Sequence, residues 1–161
     1  MTNSRPRPRP GLAILAGALT VGVLDGLDAI VFFGLRNGVS PIRIFQSIAS
    51  GLLGQPAFDH GPATALLGVA LHFFIAFGIV TTYFIASRPL PALARRPLLF
   101  GPLYGLAVYV VMNFVVIPLS AVAPRSGLPP GPVLANGLLI HLLGVGLPTA
   151  LCARWALRPP T

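Results

Sequence analysis

The sequence predicts an all-α integral membrane protein of four transmembrane helices plus one short helix that does not span, and three observations carry this. Of 161 residues, 55% are hydrophobic and 9% charged; a soluble domain carries about 25% charged residues, so this chain has too few to coat a water-facing surface. Four apolar runs each exceed the ~20 residues that cross the hydrocarbon layer. The eleven basic residues, all arginine, gather at the ends of those runs.

The elements follow in order. Residues 1–10 alternate arginine and proline at Arg5, Arg7 and Arg9 and read as an extended, disordered basic tail, because consecutive X-Pro units disfavour helix. Residues 11–161 then form a single transmembrane domain with spans at about 11–35, 63–87, 98–122 and 133–155. The first is preceded by arginines like a signal peptide, but no small-residue cleavage site follows its core and the apolar run continues past Asp28, so it reads as an uncleaved span.

Between the first two spans, Ser40 suits an N-cap and Pro41 a first helical position. Ile42, Phe45, Ile48 and Leu52 recur at helical spacing, with Arg43, Gln46, Ser47 and Ser50 on the other side. A helix over about 40–54, ended by Gly51 and Gly54, is too short to span and reads as re-entrant or interfacial. The loop 55–62, with Asp59 and His60, reads as exposed. The Pro-punctuated loops 89–97 and 124–132 are short, which favours antiparallel neighbours.

Orientation follows from the arginines. With the N-terminus inside, Arg5, Arg7, Arg9, Arg88, Arg95, Arg96, Arg154 and Arg158 fall on the cytoplasmic side and Arg36, Arg43 and Arg125 opposite. Eight against three is a positive-inside bias, with both termini cytoplasmic in a bacterial inner membrane. Trp155 beside Arg154 fits an interfacial anchor. The net charge of +8 is therefore a topology signal, and nucleic acid is not a predicted partner, because no basic patch with interleaved aromatics exists. The single cysteine, Cys152, excludes an internal disulfide and a cysteine metal cluster.

The polar residues inside the spans carry the functional information. Asp25 and Asp28 interrupt the first span, where an ionisable group is costly unless protein or water surrounds it. Counted from the outer ends of the spans at 1.5 Å per residue, Asp25 lies roughly 15 Å deep, Asp28 roughly 10 Å, His72 roughly 13 Å, and His141 and Asn113 roughly 12–14 Å. One level thus gathers a polar side chain from each of four helices. Asp25 and Asp28, three apart, share a helix face. Small residues border each polar group: Gly68 and Ala76 beside His72, Gly101, Gly105 and Tyr109 below Asn113, and Gly137, Gly144 and Pro148 around His141. With Gly22 and Gly26 they read as close helix-packing faces, internal or between copies in a homo-oligomer. Asn136, Tyr104 and Gln46 are candidates to extend the network, Arg43 to pair with Asp28, and Pro118 and Pro148 to kink their helices.

For Asn113, Asn136, His72 and His141 the plain alternative is interhelical hydrogen-bond glue. A carboxylate pair tilts toward function, since glue is made from Ser or Asn without the desolvation cost. The first functional reading is proton- or cation-linked transport, with Asp25 and Asp28 binding the ion and His72 and His141 sharing the charge. The second is a structural or accessory subunit. The third is a haem or metal held through His72 and His141, although the cofactor, if any, is not identified by the sequence. Enzymatic activity is not predicted. Ile48-Ala49-Ser50-Gly51 resembles the Gly-x-Ser-Gly of rhomboid proteases, but Ile48 stands in place of the glycine and four spans are too few for that fold.

Several stretches carry a wider likeness: Arg43-Ile44-Phe45-Gln46-Ser47-Ile48-Ala49-Ser50-Gly51-Leu52-Leu53-Gly54, Leu71-His72-Phe73, Gly101-Pro102-Leu103-Tyr104-Gly105, Met112-Asn113-Phe114 through Ile117-Pro118-Leu119-Ser120, and Asn136-Gly137 through His141. With them the chain resembles uncharacterised small four-span bacterial inner-membrane proteins of the YagU-like kind over nearly its whole length. It departs from YagU-like proteins in a shorter outer loop after the first span. The resemblance implies localisation and span count and no particular activity.

Overall fold

The computed structural model describes residues 10–122, 127 and 129–157, and the secondary structure among them is helical throughout. The arginine-proline tail, Arg125 and Arg158 lie outside the described residues. Four helices are long and apolar enough to cross a membrane: α1 (Pro10–Asn37), α3 (Gly61–Ser87), α5 (Pro97–Leu119) and α6 (Gly131–Leu157). Two short helices, α2 (Pro41–Leu53) and α4 (Pro91–Arg95), and a single 3-10 turn (Gln55–Phe58) connect them. The segment 89–97, read from sequence as a plain loop, therefore contains a helix. Pro91 begins it, at a position where a missing N–H costs nothing.

α1 packs between α3 and α6, α5 packs along α6, and α2 packs on α3. At the end where α3 meets α4, Ala13, Tyr83, Phe84, Ala150, Ala153 and Ala156 form one buried cluster. A second cluster of Val21, Ala76, Val80, Val108 and Val145 joins all four long helices midway. Small side chains let the backbones approach: a Cβ at Gly105 would overlap the His141 carbonyl, and one at Gly68 the Phe45 carbonyl. Tyr104 donates to the Ile79 carbonyl (2.8 Å) and Tyr83 to that of Leu93 (3.0 Å), tying α5 and α4 to α3.

α2 begins and ends largely as its sequence predicts. The Ser40 hydroxyl accepts the Arg43 N–H at 3.3 Å, and the helix closes on Gly54 at φ 65°, a left-handed conformation natural to glycine. Gly51 lies inside the helix and does not end it. Its burial reverses a simple amphipathic reading. Gln46 and Ser50 are buried, whereas Ile42 and Leu52 are exposed. The reason is local: the Gln46 amide donates to the Gly61 carbonyl (2.9 Å) and to Thr64 Oγ1 (3.4 Å), and Thr64 donates to the Ala57 carbonyl (2.6 Å). Gln46 thus satisfies the start of α3, whereas Ser50 donates within α2 to the Ser47 carbonyl and Arg43 and Ser47 remain exposed. Asp59 and His60 are exposed, as their loop position suggests.

Pro118 and Pro148 change the winding of their helices rather than simply breaking them. A π-helical turn precedes each, over Met112–Val116 and Ile140–Gly146. The Ile117 N–H reaches back five residues to Met112, and the Leu147 N–H to Leu142. Proline has no N–H, and its ring crowds the carbonyl four residues earlier; one extra residue in the preceding turn relieves both. α5 then ends at Leu119, short of the predicted 122, where Ser120 turns to extended backbone and its hydroxyl accepts the Val122 N–H at 3.3 Å.

Candidate functional site

Asp25 and Asp28 face the interior of the bundle. Both are half-buried and both line a cavity of about 210 Å³ walled by α1, α5 and α6, with Tyr109, Asn113, Asn136 and His141 completing its polar side. Phe33, Pro129 and Val133 carry the cavity toward the end of the bundle where α1 finishes and α6 starts.

Each carboxylate has its own partner. Asp28 Oδ2 accepts a 2.7 Å hydrogen bond from the Asn136 amide, a short, charge-assisted contact from α6 to α1. Asp25 Oδ2 stands 4.0 Å from His72 Nδ1. The other nitrogen of that ring, Nε2, lies 2.8 Å from the Gly22 carbonyl. A carbonyl oxygen only accepts, so Nε2 carries the hydrogen and Nδ1 is left facing the carboxylate. Gly26 makes room for the ring, since a Cβ there would meet Nε2 at 3.3 Å. Phe45 and Phe73 enclose the imidazole edge-on, with centroids at 6.1 and 5.5 Å.

His141 and Asn113 sit in the two π turns. His141 donates through Nδ1 to the Gly137 carbonyl (2.9 Å) and meets the Tyr109 ring edge-on at 5.2 Å, so Nε2 is its unspent nitrogen. The Asn113 amide donates to the Tyr109 carbonyl (2.9 Å). Wide turns of this kind recur at functional positions because they displace a side chain without ending the helix.

Of the five sequence candidates, Asp25, Asp28, Asn113 and His141 therefore meet at one cavity. His72 stands behind Asp25, outside the lining. Among the glycines, Gly22 receives the Phe73 ring, Gly26 His72, Gly137 the Tyr109 ring, and Gly101 and Gly105 the backbone of α6. Gly144 is buried beside its own Ile140 side chain, and a Cβ there would also meet Leu24 Cβ of α1 at 3.7 Å. Gly146 holds the position against Gly101 and Gly105. The extra residue of the π turn rotates everything beyond it by about 100° relative to an ordinary helix.

Three expected extensions of the network also fall elsewhere. The Arg43 guanidinium lies over the Phe58 ring, 4.2 Å from its centroid, and not on Asp28. Tyr104 and Gln46 make the packing contacts described above. For a shared cofactor the geometry is poor. Among the described residues no three His, Cys, Asp or Glu side chains are placed to share a metal ion, and His72 does not border the cavity that His141 lines.

Tyr109, Phe33 and Val133 enter the cavity wall without having been singled out for it. Tyr109 carried a signal, lying one turn before Asn113 on the glycine stripe. A larger cleft of about 810 Å³ runs between α2, α3 and the outer part of α5, but no titratable side chain lines it. No protein-family model, curated protein or solved structure matches the chain, so function is argued from the site alone.

Proposed function

We propose that this chain is a bacterial inner-membrane protein that binds a proton or a monovalent cation at Asp25 and Asp28 and couples it to transport. The four long apolar helices support a membrane location. So does the belt of exposed large apolar side chains, including Leu19, Leu66, Phe74 and Leu98. The likeness to YagU-like proteins belongs to the same proposal. In that setting the arginine-rich end faces the cytoplasm, and α2, with Ile42 and Leu52 turned outward, lies at the outer interface or re-enters the bilayer.

One observation carries the functional reading: two mid-span carboxylates line a single interior cavity, and each has a different kind of partner. Asn136 holds Asp28 by donation. His72 turns its Nδ1 toward Asp25 at 4.0 Å while its Nε2 stays on the Gly22 carbonyl. Ionisable side chains that face a bundle interior in membrane segments mark ion and proton pathways.

A specific observation favours a second reading, an accessory subunit without transported species: Asn113 and His141 spend hydrogen bonds on their own helices, which is how structural polar groups in a bilayer are satisfied. Proteoliposomes decide between them. Under an imposed proton or sodium gradient, a dye-reported flux that falls at least tenfold in Asp25→Asn and Asp28→Asn supports coupling. A parent flux no greater than that of empty liposomes, with the fold intact, supports the accessory role, and a parent flux that survives unchanged in the double variant counts against ion binding at Asp25 and Asp28.

A further inference from the structure

The opposite end of the bundle carries a second polar cavity, of different charge. Ser87 and Arg88 at the end of α3, Ala94 and Arg95 of α4, and Arg154 near the end of α6 border about 500 Å³. The local sequence builds it. α3 stops at Ser87, whose hydroxyl donates to the Tyr83 carbonyl (2.8 Å), and the Arg88-Pro89-Leu90 turn then drops α4 against the last turns of α6. Ala94 is the buried contact of α4, so Arg95 beside it is left at the rim.

Among the described residues no carboxylate balances these charges. The chain has three acidic residues; Asp25 and Asp28 line the other cavity, and Asp59 lies in the turn after α2. Among the described residues the only oppositely charged pair within 4.0 Å is His72 with Asp25. Three arginines thus line one hollow whose described lining holds no carboxylate, the Arg88 guanidinium lying over the Phe84 ring at 5.5 Å, and a guanidinium is a planar fork of N–H donors matched to phosphate oxygens. Close in sequence to these arginines, Ile85, Leu90, Leu98 and Trp155 are exposed apolar side chains. A molecule seated there meets guanidinium groups within and hydrocarbon-like surface outside.

We infer that this cavity binds the phosphodiester headgroup of an anionic phospholipid, whose acyl chains run down the exposed apolar flank. Inorganic phosphate shares the headgroup's chemistry but has no use for that flank, which is why a lipid is the chosen source. The inference rests on the membrane reading above and not on ion binding at Asp25 and Asp28, with which it shares no residue.

The test uses the full chain in nanodiscs of phosphatidylcholine with a minority of phosphatidylglycerol, and lipids retained on release are counted by native mass spectrometry. The expected result is a several-fold preference for phosphatidylglycerol in the parent. That preference falls to near parity in Arg88→Gln/Arg95→Gln/Arg154→Gln and survives in Arg36→Gln/Arg43→Gln, which removes positive charge from the other end. The single variant Arg95→Gln, at an exposed position, gives a partial loss and keeps the inference testable if the triple variant does not fold. Parity in the parent, or a preference untouched by these variants, overturns it. Displacement of the lipid by equimolar inorganic phosphate overturns the lipid source and assigns the cavity to free phosphate. Sodium carbonate extraction of the chain from membranes would remove the membrane reading as well, whereas retention with parity removes this inference alone.

Discussion

The helix pair α5–α6 is built in two ways along its length. Toward the arginine-rich end, Gly101, Gly105 and Gly146 bring the two backbones into contact, and the neighbouring core is alanine, valine and tyrosine. Toward the aspartate end, each helix takes a π turn, and a cavity holding Asp25, Asp28, Asn113 and His141 opens beside them. The same apolar composition serves both halves. In α5 the packing glycines Gly101 and Gly105 precede the π turn and Pro118 follows it, whereas in α6 the packing glycine Gly146 closes the π turn itself and Pro148 lies beyond it toward the arginine-rich end. Tight packing in one half leaves the other free to hold groups that packing alone would exclude.

Substitutions separate the halves, and the packed half gives the largest effects. Gly105→Leu sets a side chain into the His141 carbonyl and is expected to cost about 3 kcal/mol or more, enough to lose the folded bundle in detergent size-exclusion and thermal melts. Gly78→Ala is the matched control, because nothing lies within 4 Å of a Cβ there; it should leave the melt unchanged or raise it by up to about 1 kcal/mol. A folded Gly105→Leu protein would erase the distinction between the halves.

If the proposed ion binding holds, chemistry rather than packing limits the aspartate half. Asp25→Asn and Asp28→Asn keep shape and are expected to leave the melting temperature within a few degrees while abolishing most ion flux. His72→Gln keeps a donor for the Gly22 carbonyl and removes the ring nitrogen that faces Asp25, so flux falls, but less than in the aspartate variants. An unaltered flux would detach His72 from Asp25. Asn136→Ala removes the bond to Asp28, worth about 0.6–1.7 kcal/mol by analogy with interhelical bonds in bilayers, and a small drop in thermal midpoint should report it. Arg43→Ala is expected to have the smallest effect, about 0.5–1 kcal/mol from the lost contact with Phe58. A larger effect on flux than on stability there would return Arg43 to the site.

Much of this was legible in the sequence, for reasons that differ by residue. Span count and the limits of α2 follow from run length and from the Ser40, Pro41 and Gly54 signals, which act within a few residues. The meeting of Asp25, Asp28, Asn113 and His141 follows from depth, because rise per residue is nearly constant along a helix. Facing is less secure. Prolines at 118 and 148 announce a disturbance but not that a π turn will absorb it, nor that Gly146, at the end of that turn, will be the residue that meets Gly101 and Gly105. The inward turn of Gln46 was hidden because its partners, Gly61 and Thr64, lie beyond the next turn of chain. Arg43 illustrates a different limit: charge alone suggested Asp28, whereas an aromatic ring at Phe58 was nearer.

The most direct test of the two interior carboxylates is infrared titration of the bilayer-reconstituted protein with isotope-labelled aspartate, in an Asp59→Asn background that removes the exposed acid. A carboxyl band that titrates reversibly, shifts in deuterated water and disappears in Asp25→Asn/Asp28→Asn is the result expected of acids reached through a wet cavity. A carboxyl signal that stays fixed across the accessible pH range and is untouched by deuterated water would contradict it and leave Asp25 and Asp28 as structural pins.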